Sequence, residues 1–331
     1  GYTGKPDSYY NAIINWVKQR YDLIVTKEVI NFVPGIVPGI GMAMNCFTQK
    51  GDKVMIQPPV YHPFAWVTTR NERTLVINPL RWENGMYRMD LDAFREQIKG
   101  CKLFILCNPH NPGGVVWTEA ELRAIADICY DEKVLVFSDE IHADLTLPPH
   151  THRPFATVSE KARMNSVTFM SPSKAFNMPG LSASHALIFN EDLRKRFRIY
   201  MDAGELDMGH VFAFLSVEAA YSHGTEWLDQ CLAYIQGNID FVDEFLKKHA
   251  PKIKAIRPEA SYLVWLDCRE LELSQKDLNE FFVDKAHLAL NDGEMFGKEG
   301  IGCMRLNVAS PRCIIEKAMK QLADAYQLYI K

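Results

Sequence analysis

Six short apolar runs rich in β-formers, at 54–56, 75–77, 102–106, 134–137, 167–170 and 186–189, alternate with helix-patterned stretches. This alternation constrains the fold more than any other feature, because adjacent parallel strands need a crossover long enough to be a helix. The expected architecture is α/β, a mostly parallel sheet with helices on both faces. The run at 134–137 lacks polar alternation and suits a central strand covered on both sides. At 331 residues the chain exceeds one ordinary core. A helical stretch at 211–222 ends at His223-Gly224, and Thr225 is placed to cap a second helix. That helix leads to a smaller α+β domain with a strand at 261–268 and a glycine-rich loop entering another at 300–309. The expected division is a large domain at 1–223 and a small one at 224–331. The first helix begins almost at once, capped by Asp7 or Ser8, with Tyr10, Ile13, Ile14 and Val17 on one face.

Chemistry-bearing residues follow the strand-like runs. Lys174, in Ser-Pro-Ser-Lys-Ala-Phe-Asn at 171–177, comes just after the run at 167–170, at the rim where α/β sheets place their chemistry. An amine there can condense with an aldehyde, and Ser171 and Ser173 offer hydroxyls to a phosphate, a pattern that fits pyridoxal phosphate (PLP). Alone, a Ser-x-x-Lys is weak evidence. Asp139 ends the run Val-Leu-Val-Phe-Ser-Asp, 35 residues before Lys174, where a carboxylate can keep a pyridine nitrogen protonated. His142 either hydrogen-bonds near the ring phenolate or is structural.

Asn111 lies in the turn-rich Cys-Asn-Pro-His-Asn-Pro-Gly-Gly at 107–114, 28 residues before Asp139, and can donate its amide to the phenolate. Thr118 and Glu121 then form a capping box for a helix carrying Leu122, Ile125 and Cys129. Pro-Gly-Ile-Val-Pro-Gly-Ile-Gly at 34–41 opens a helix and offers backbone amides to an anion. It fails the dinucleotide fingerprint, since Met44 stands where the third glycine belongs. Tyr61 either stacks on a ring or packs a turn. Arg305 has the planar fork that grips a carboxylate bidentately.

In this order and spacing, the three motifs at 107–114, 138–142 and 171–177 resemble those of fold-type I PLP enzymes of the class I/II aminotransferase superfamily. Within it the chain is most similar to the MalY/PatB-like cystathionine β-lyase group, across essentially its whole length. The resemblance implies Lys174 as the Schiff-base lysine, Asp139 at the pyridine nitrogen, Asn111 at the phenolate side and Tyr61 stacked on the ring. It also implies Gly35, Ile36, Val37, Ser171 and Ser173 around the phosphate, and Arg305 on the substrate carboxylate. Tyr2 resembles the tyrosine that reaches the phosphate of the neighbouring subunit, which makes the expected unit a homodimer with shared sites. Relatives carry an additional amino-terminal segment that includes part of the small domain, and this segment is expected to be absent here. One departure is Val115, where the group often has arginine; it puts in doubt a local ion pair or substrate contact.

Composition narrows the alternatives. A net charge of −4 gives no reason to expect nucleic acid, and 24% charged with 47% hydrophobic residues is a globular balance. Eight cysteines without a C-x-x-C pair, no secretory signal and no long apolar span fit a reducing cytoplasm and no membrane. His150-Thr-His152 lacks clustered ligands, so no metal is expected. The expected activity is PLP-dependent carbon–sulfur β-elimination from cystathionine or cysteine S-conjugates, releasing pyruvate, ammonia and a thiol. An aminotransferase shares the same carbanion and is the alternative. A PLP-bound regulator without turnover has no need of both an imine lysine and a carboxylate clamp, and a nicotinamide dehydrogenase conflicts with the broken glycine pattern.

Overall fold

The computed structural model describes residues 4–329. Tyr2, assigned above to a neighbouring subunit's phosphate, lies outside the described residues. Among these, seven strands form the larger sheet, in the spatial order Ile30–Val33, Ser184–Leu187, Ser166–Met170, Leu135–Asp139, Cys101–Cys107, Lys53–Ile56 and Thr74–Ile77. The four pairs from Thr74–Ile77 across to Ser166–Met170 are parallel. Their carboxyl ends therefore share one rim, where Cys107 and Asp139 are register partners. Leu135–Asp139 and Ser166–Met170 are almost entirely buried, as central strands with helices on both faces must be.

Ser184–Leu187 departs from expectation. It is antiparallel to both neighbours and lies two residues earlier than the apolar run at 186–189. The run continues past the strand because Ile188 is still fully buried and donates its N–H to Val29 O. Ile30–Val33 was not foreseen. It forms an edge strand only by pairing with Ser184–Leu187, some 150 residues away.

Local capping follows the sequence in part. Thr118 and Glu121 make the reciprocal capping box of helix Glu119–Asp131. Helix Asp7–Tyr21 starts at Asp7, but neither Asp7 nor Ser8 caps it, since Pro6 holds the N-cap position without a side-chain bond. Thr225 opens the long helix Thr225–His249 as its first residue rather than as its cap, and Gly224 precedes it.

That helix leads to a second, antiparallel sheet in the order Lys254–Ile256, Leu263–Asp267, Cys303–Asn307, Asn291–Asp292. The closing helix, Arg312–Tyr329, buries Ile315, Met319, Leu322 and Tyr326. In the second sheet Arg305 is flanked by Trp265 and Asn291. The backbone of the site loop reaches it too: Gly114 O accepts the N–H groups of Glu259 and Ala260.

Candidate active site

A cavity of about 500 Å³ lies at the carboxyl rim of the larger sheet, under the edge of the second. Lys174, Asp139, Tyr61, Asn111, His142 and Arg305 all border it. Five of these residues converge because they end or follow four parallel strands that finish at the same rim, and Arg305 reaches them from Cys303–Asn307 of the second sheet.

Asp139 ends its strand nearly inaccessible to solvent and accepts the Ile141 N–H at 3.1 Å. Burial pushes its carboxyl up to about 7, against the opposing pull of that hydrogen bond and of the Lys174 charge. Lys174 follows Ser166–Met170 and is half-buried; burial first, and then the neighbouring Arg305 charge, hold its ammonium below the ordinary lysine value. A greater share of neutral amine is the state a nucleophile or base requires. His142 is buried with Nδ1 unpartnered, and burial together with the two cations pushes it down to about 3. It is a neutral imidazole with hydrogen-bonding capacity to spare.

Arg305 is the second cation. Its Nη1 donates to Asn111 Oδ1 at 2.9 Å and its Nη2 to Asn291 Oδ1 at 2.8 Å, while its Cζ stands 4.6 Å from the centre of the Phe296 ring. Burial pulls it down to about 10, so it remains a cation at neutral pH. Because Asn111 spends its Oδ1 on Arg305, its amide nitrogen is left as the free donor. Asn111 also gives its backbone N–H to Cys107 Sγ at 3.3 Å. Tyr61 stands at the wall with its phenol shifted upward by burial and by the Asp139 charge.

Gly35, Ile36 and Val37 form the opposite end. Gly35 caps helix Ile36–Phe47 at φ 154°, ψ 160°, a region open in practice only to glycine, and a Cβ there would stand 3.3 Å from Pro38 Cδ. The first-turn N–H groups and the helix dipole together favour an anion. Ser173 borders the cavity. Ser171 is buried behind it, its hydroxyl donating to Ala183 O at 2.7 Å and accepting the Ser173 N–H at 3.1 Å. Ser171 thus braces the loop that presents Ser173 and Lys174.

Sequence reading missed several wall residues. Ser182, in left-handed conformation at φ 47°, and Ser184 add hydroxyls beside the helix start. Their only signal was proximity to Lys174. Tyr262, His62 and Asn307 had none. Val115 is fully buried in an apolar cluster and does not border the cavity. His152, considered above beside His150, pairs with Glu140 Oε2 at 2.7 Å in the interior.

The family described as "Aminotransferase class I and II" matches residues 2–322. The chain belongs to that family. Cystathionine beta-lyase PatB of Bacillus subtilis (strain 168) is 37% identical over 327 residues, covering 98% of this chain and 84% of its own. Among solved structures, cystalysin from Treponema denticola, which contains a pyridoxal 5′-phosphate cofactor, superposes with a TM-score of 0.97 at 34% identity, over 100% of this chain and 84% of that one. A PLP-bound C–S lyase from Staphylococcus hominis gives 0.91 at 33% identity, over 98% and 83%. The fold is accordingly that of the fold-type I PLP-dependent enzymes, and members of the class I and II aminotransferase family share this mostly parallel sheet.

The residues present fit that cofactor on structural grounds alone. A phosphate suits the helix start at Gly35, whose backbone conformation L side chains rarely adopt. The buried Asp139 has one carboxylate hydrogen bond and capacity for another, and His142 has an orphaned nitrogen. Both are groups that a polar ring bound between them can satisfy.

Proposed function

We propose that this protein is a PLP-dependent carbon–sulfur β-lyase acting on cystathionine or related cysteine S-conjugates, yielding pyruvate, ammonia and a thiol. The observation that carries this reading is the convergence of a lysine with depressed basicity, a buried carboxylate and a buried arginine fork on one cavity. That relatives bear the names cystathionine beta-lyase and C–S lyase supports elimination over amino transfer as the reading.

PLP, when bound, supplies an aldehyde for the substrate amine and a protonated ring that accepts the electron pair released at Cα. The chain supplies the rest. Lys174 Nζ would hold the cofactor through its aldehyde and, as the free amine, would take the α-proton. Asp139 would keep a proton at the ring nitrogen, Asn111 would offer its amide N–H at the phenolate side with His142 beside it, and Tyr61 would cover the ring. Gly35, Ile36, Val37 and Ser173 would seat the phosphate, with Ser171 fixing the loop that carries Ser173 and Lys174. Arg305 grips the α-carboxylate and so orients the Cα–H bond toward Lys174. Ammonia follows by hydrolysis after the thiolate leaves.

The two sheets support a large domain at 1–223 and a small one at 224–331, divided at Gly224 between two helices. A homodimer, with Tyr2 on its partner's phosphate, is part of the same proposal. So is a reducing cytoplasm, supported by eight unpaired cysteines; no described helix is long and apolar enough to cross a membrane. The deciding experiment supplies L-cystathionine and measures pyruvate and free thiol, beside keto-acid-dependent amino transfer. Rapid transfer without pyruvate would give the function to the aminotransferase reading.

A further inference from the structure

Phe296 is almost fully buried at the end of a short turn, Gly293–Phe296, in the second sheet's connection to Cys303–Asn307. It touches the site in two independent ways. Its ring face lies against the Arg305 guanidinium, and its edges meet Trp265 at 5.4 Å and His62 at 5.8 Å between centroids. Its backbone oxygen accepts the N–H of Val60, the residue before Tyr61, at 2.9 Å. The next residue fixes this geometry: Gly297 sits at φ 121°, where a Cβ would stand 2.8 Å from Pro58 Cβ. A turn of the second sheet is thus locked against the loop that carries Tyr61.

We infer that Phe296 is a positioning residue that sets Arg305 and Tyr61 relative to one another, its ring fixing the guanidinium plane and its carbonyl fixing the tyrosine loop. Arg305 already has Asn111 and Asn291 at the edge of its plane, and neither restrains it from tipping out of that plane. A ring packed on the face supplies this restraint through cation–π attraction while leaving the remaining N–H groups free. The same residue then couples the carboxylate seat to the ring-covering tyrosine, two groups from different sheets. The inference rests on the proposed amino-acid site, but not on which reaction follows.

Two variants separate positioning from packing. Phe296→Leu retains an apolar side chain and removes the π face. It should raise KM for an amino-acid substrate about 5- to 10-fold with kcat within about twofold, as loss of a partly desolvated cation–π contact requires. PLP content should be unchanged, and Phe296→Tyr, which keeps the ring, should restore KM. Gly297→Ala keeps the phenyl ring in the chain and strains the backbone beside the carbonyl, so it should speed cofactor release, read from absorbance. The proposal is overturned if Phe296→Leu lowers only the melting midpoint, or if Gly297→Ala releases cofactor at the wild-type rate. Should Phe296→Leu fail to fold, the Gly297→Ala release rate decides. L-Alanine titration of the cofactor absorbance reports the carboxylate seat even if the wild-type protein lacks lyase turnover, which would refute only the functional reading.

Discussion

Replacing Arg305 by lysine retains the charge and tests the geometry. The guanidinium has five N–H donors, and two neighbours, Asn111 and Asn291, occupy one on each terminal nitrogen. The two that remain on those nitrogens can meet both oxygens of a carboxylate. An ammonium has three protons and no planar fork, so satisfying both asparagines leaves one for the substrate. The loss is one charge-assisted hydrogen bond, about 2 kcal/mol, or roughly 30-fold in KM. Burial adds a pH signature. It already pulls Arg305 down to about 10, and lysine starts roughly two units lower than arginine, so the replacement should lose its proton as pH rises through the alkaline range. The defect should therefore deepen between pH 7 and 9, while wild-type KM changes little. Steady-state kinetics across that range, with PLP content checked by absorbance, measure both effects. A KM equal to wild type at pH 7 would remove Arg305 from the carboxylate seat; a pH-independent defect would refute the burial argument.

Further expectations follow from the same site. Lys174→Ala should keep the fold and lose turnover by several orders of magnitude, and borohydride should attach the cofactor to wild-type Lys174; a labelled peptide containing another lysine would refute the assignment. The Asp139 carboxyl, raised to about 7 by burial, binds its proton more tightly in the folded state than in the unfolded one, so its contribution to stability falls as pH rises from 4 to 7. Cofactor-free Asp139→Asn should therefore gain in melting temperature over cofactor-free wild type across that window and level off above it, whereas its turnover with PLP should collapse; a constant gap would contradict the burial argument. Gly35→Ala should weaken PLP binding by about 1–3 kcal/mol through backbone strain, measured by equilibrium titration. Tyr2→Phe should loosen PLP without unfolding the subunit, and a monomer in sedimentation that still holds PLP tightly would contradict the shared site.

The parallel strands were legible because their apolar runs are local signals, and Lys174, Asp139 and Asn111 were legible because each follows such a run in a turn-rich motif. Ile30–Val33 was not, since four residues before a Pro-Gly acquire strand character only through a distant antiparallel partner. Asn291 and Phe296 were invisible for a related reason: their relevance comes from where the second sheet's register places Arg305. Ser182 depends on a left-handed backbone that its side chain does not announce. Ser171 shows the converse, a motif serine placed at the right point in the chain but with its hydroxyl spent on backbone.

The reversed strand Ser184–Leu187 has a mechanical consequence. The chain leaves the rim at Met170 and re-enters the sheet there at Ser184, so the lysine-bearing segment is a closed loop with both ends clamped in β-structure. The Ser171–Ala183 hydrogen bond cinches its neck. A lysine on such a loop swings on its own side chain while its Cα stays put. In the proposed site it would serve first as a covalent tether and then as a base, with no backbone rearrangement between the two duties.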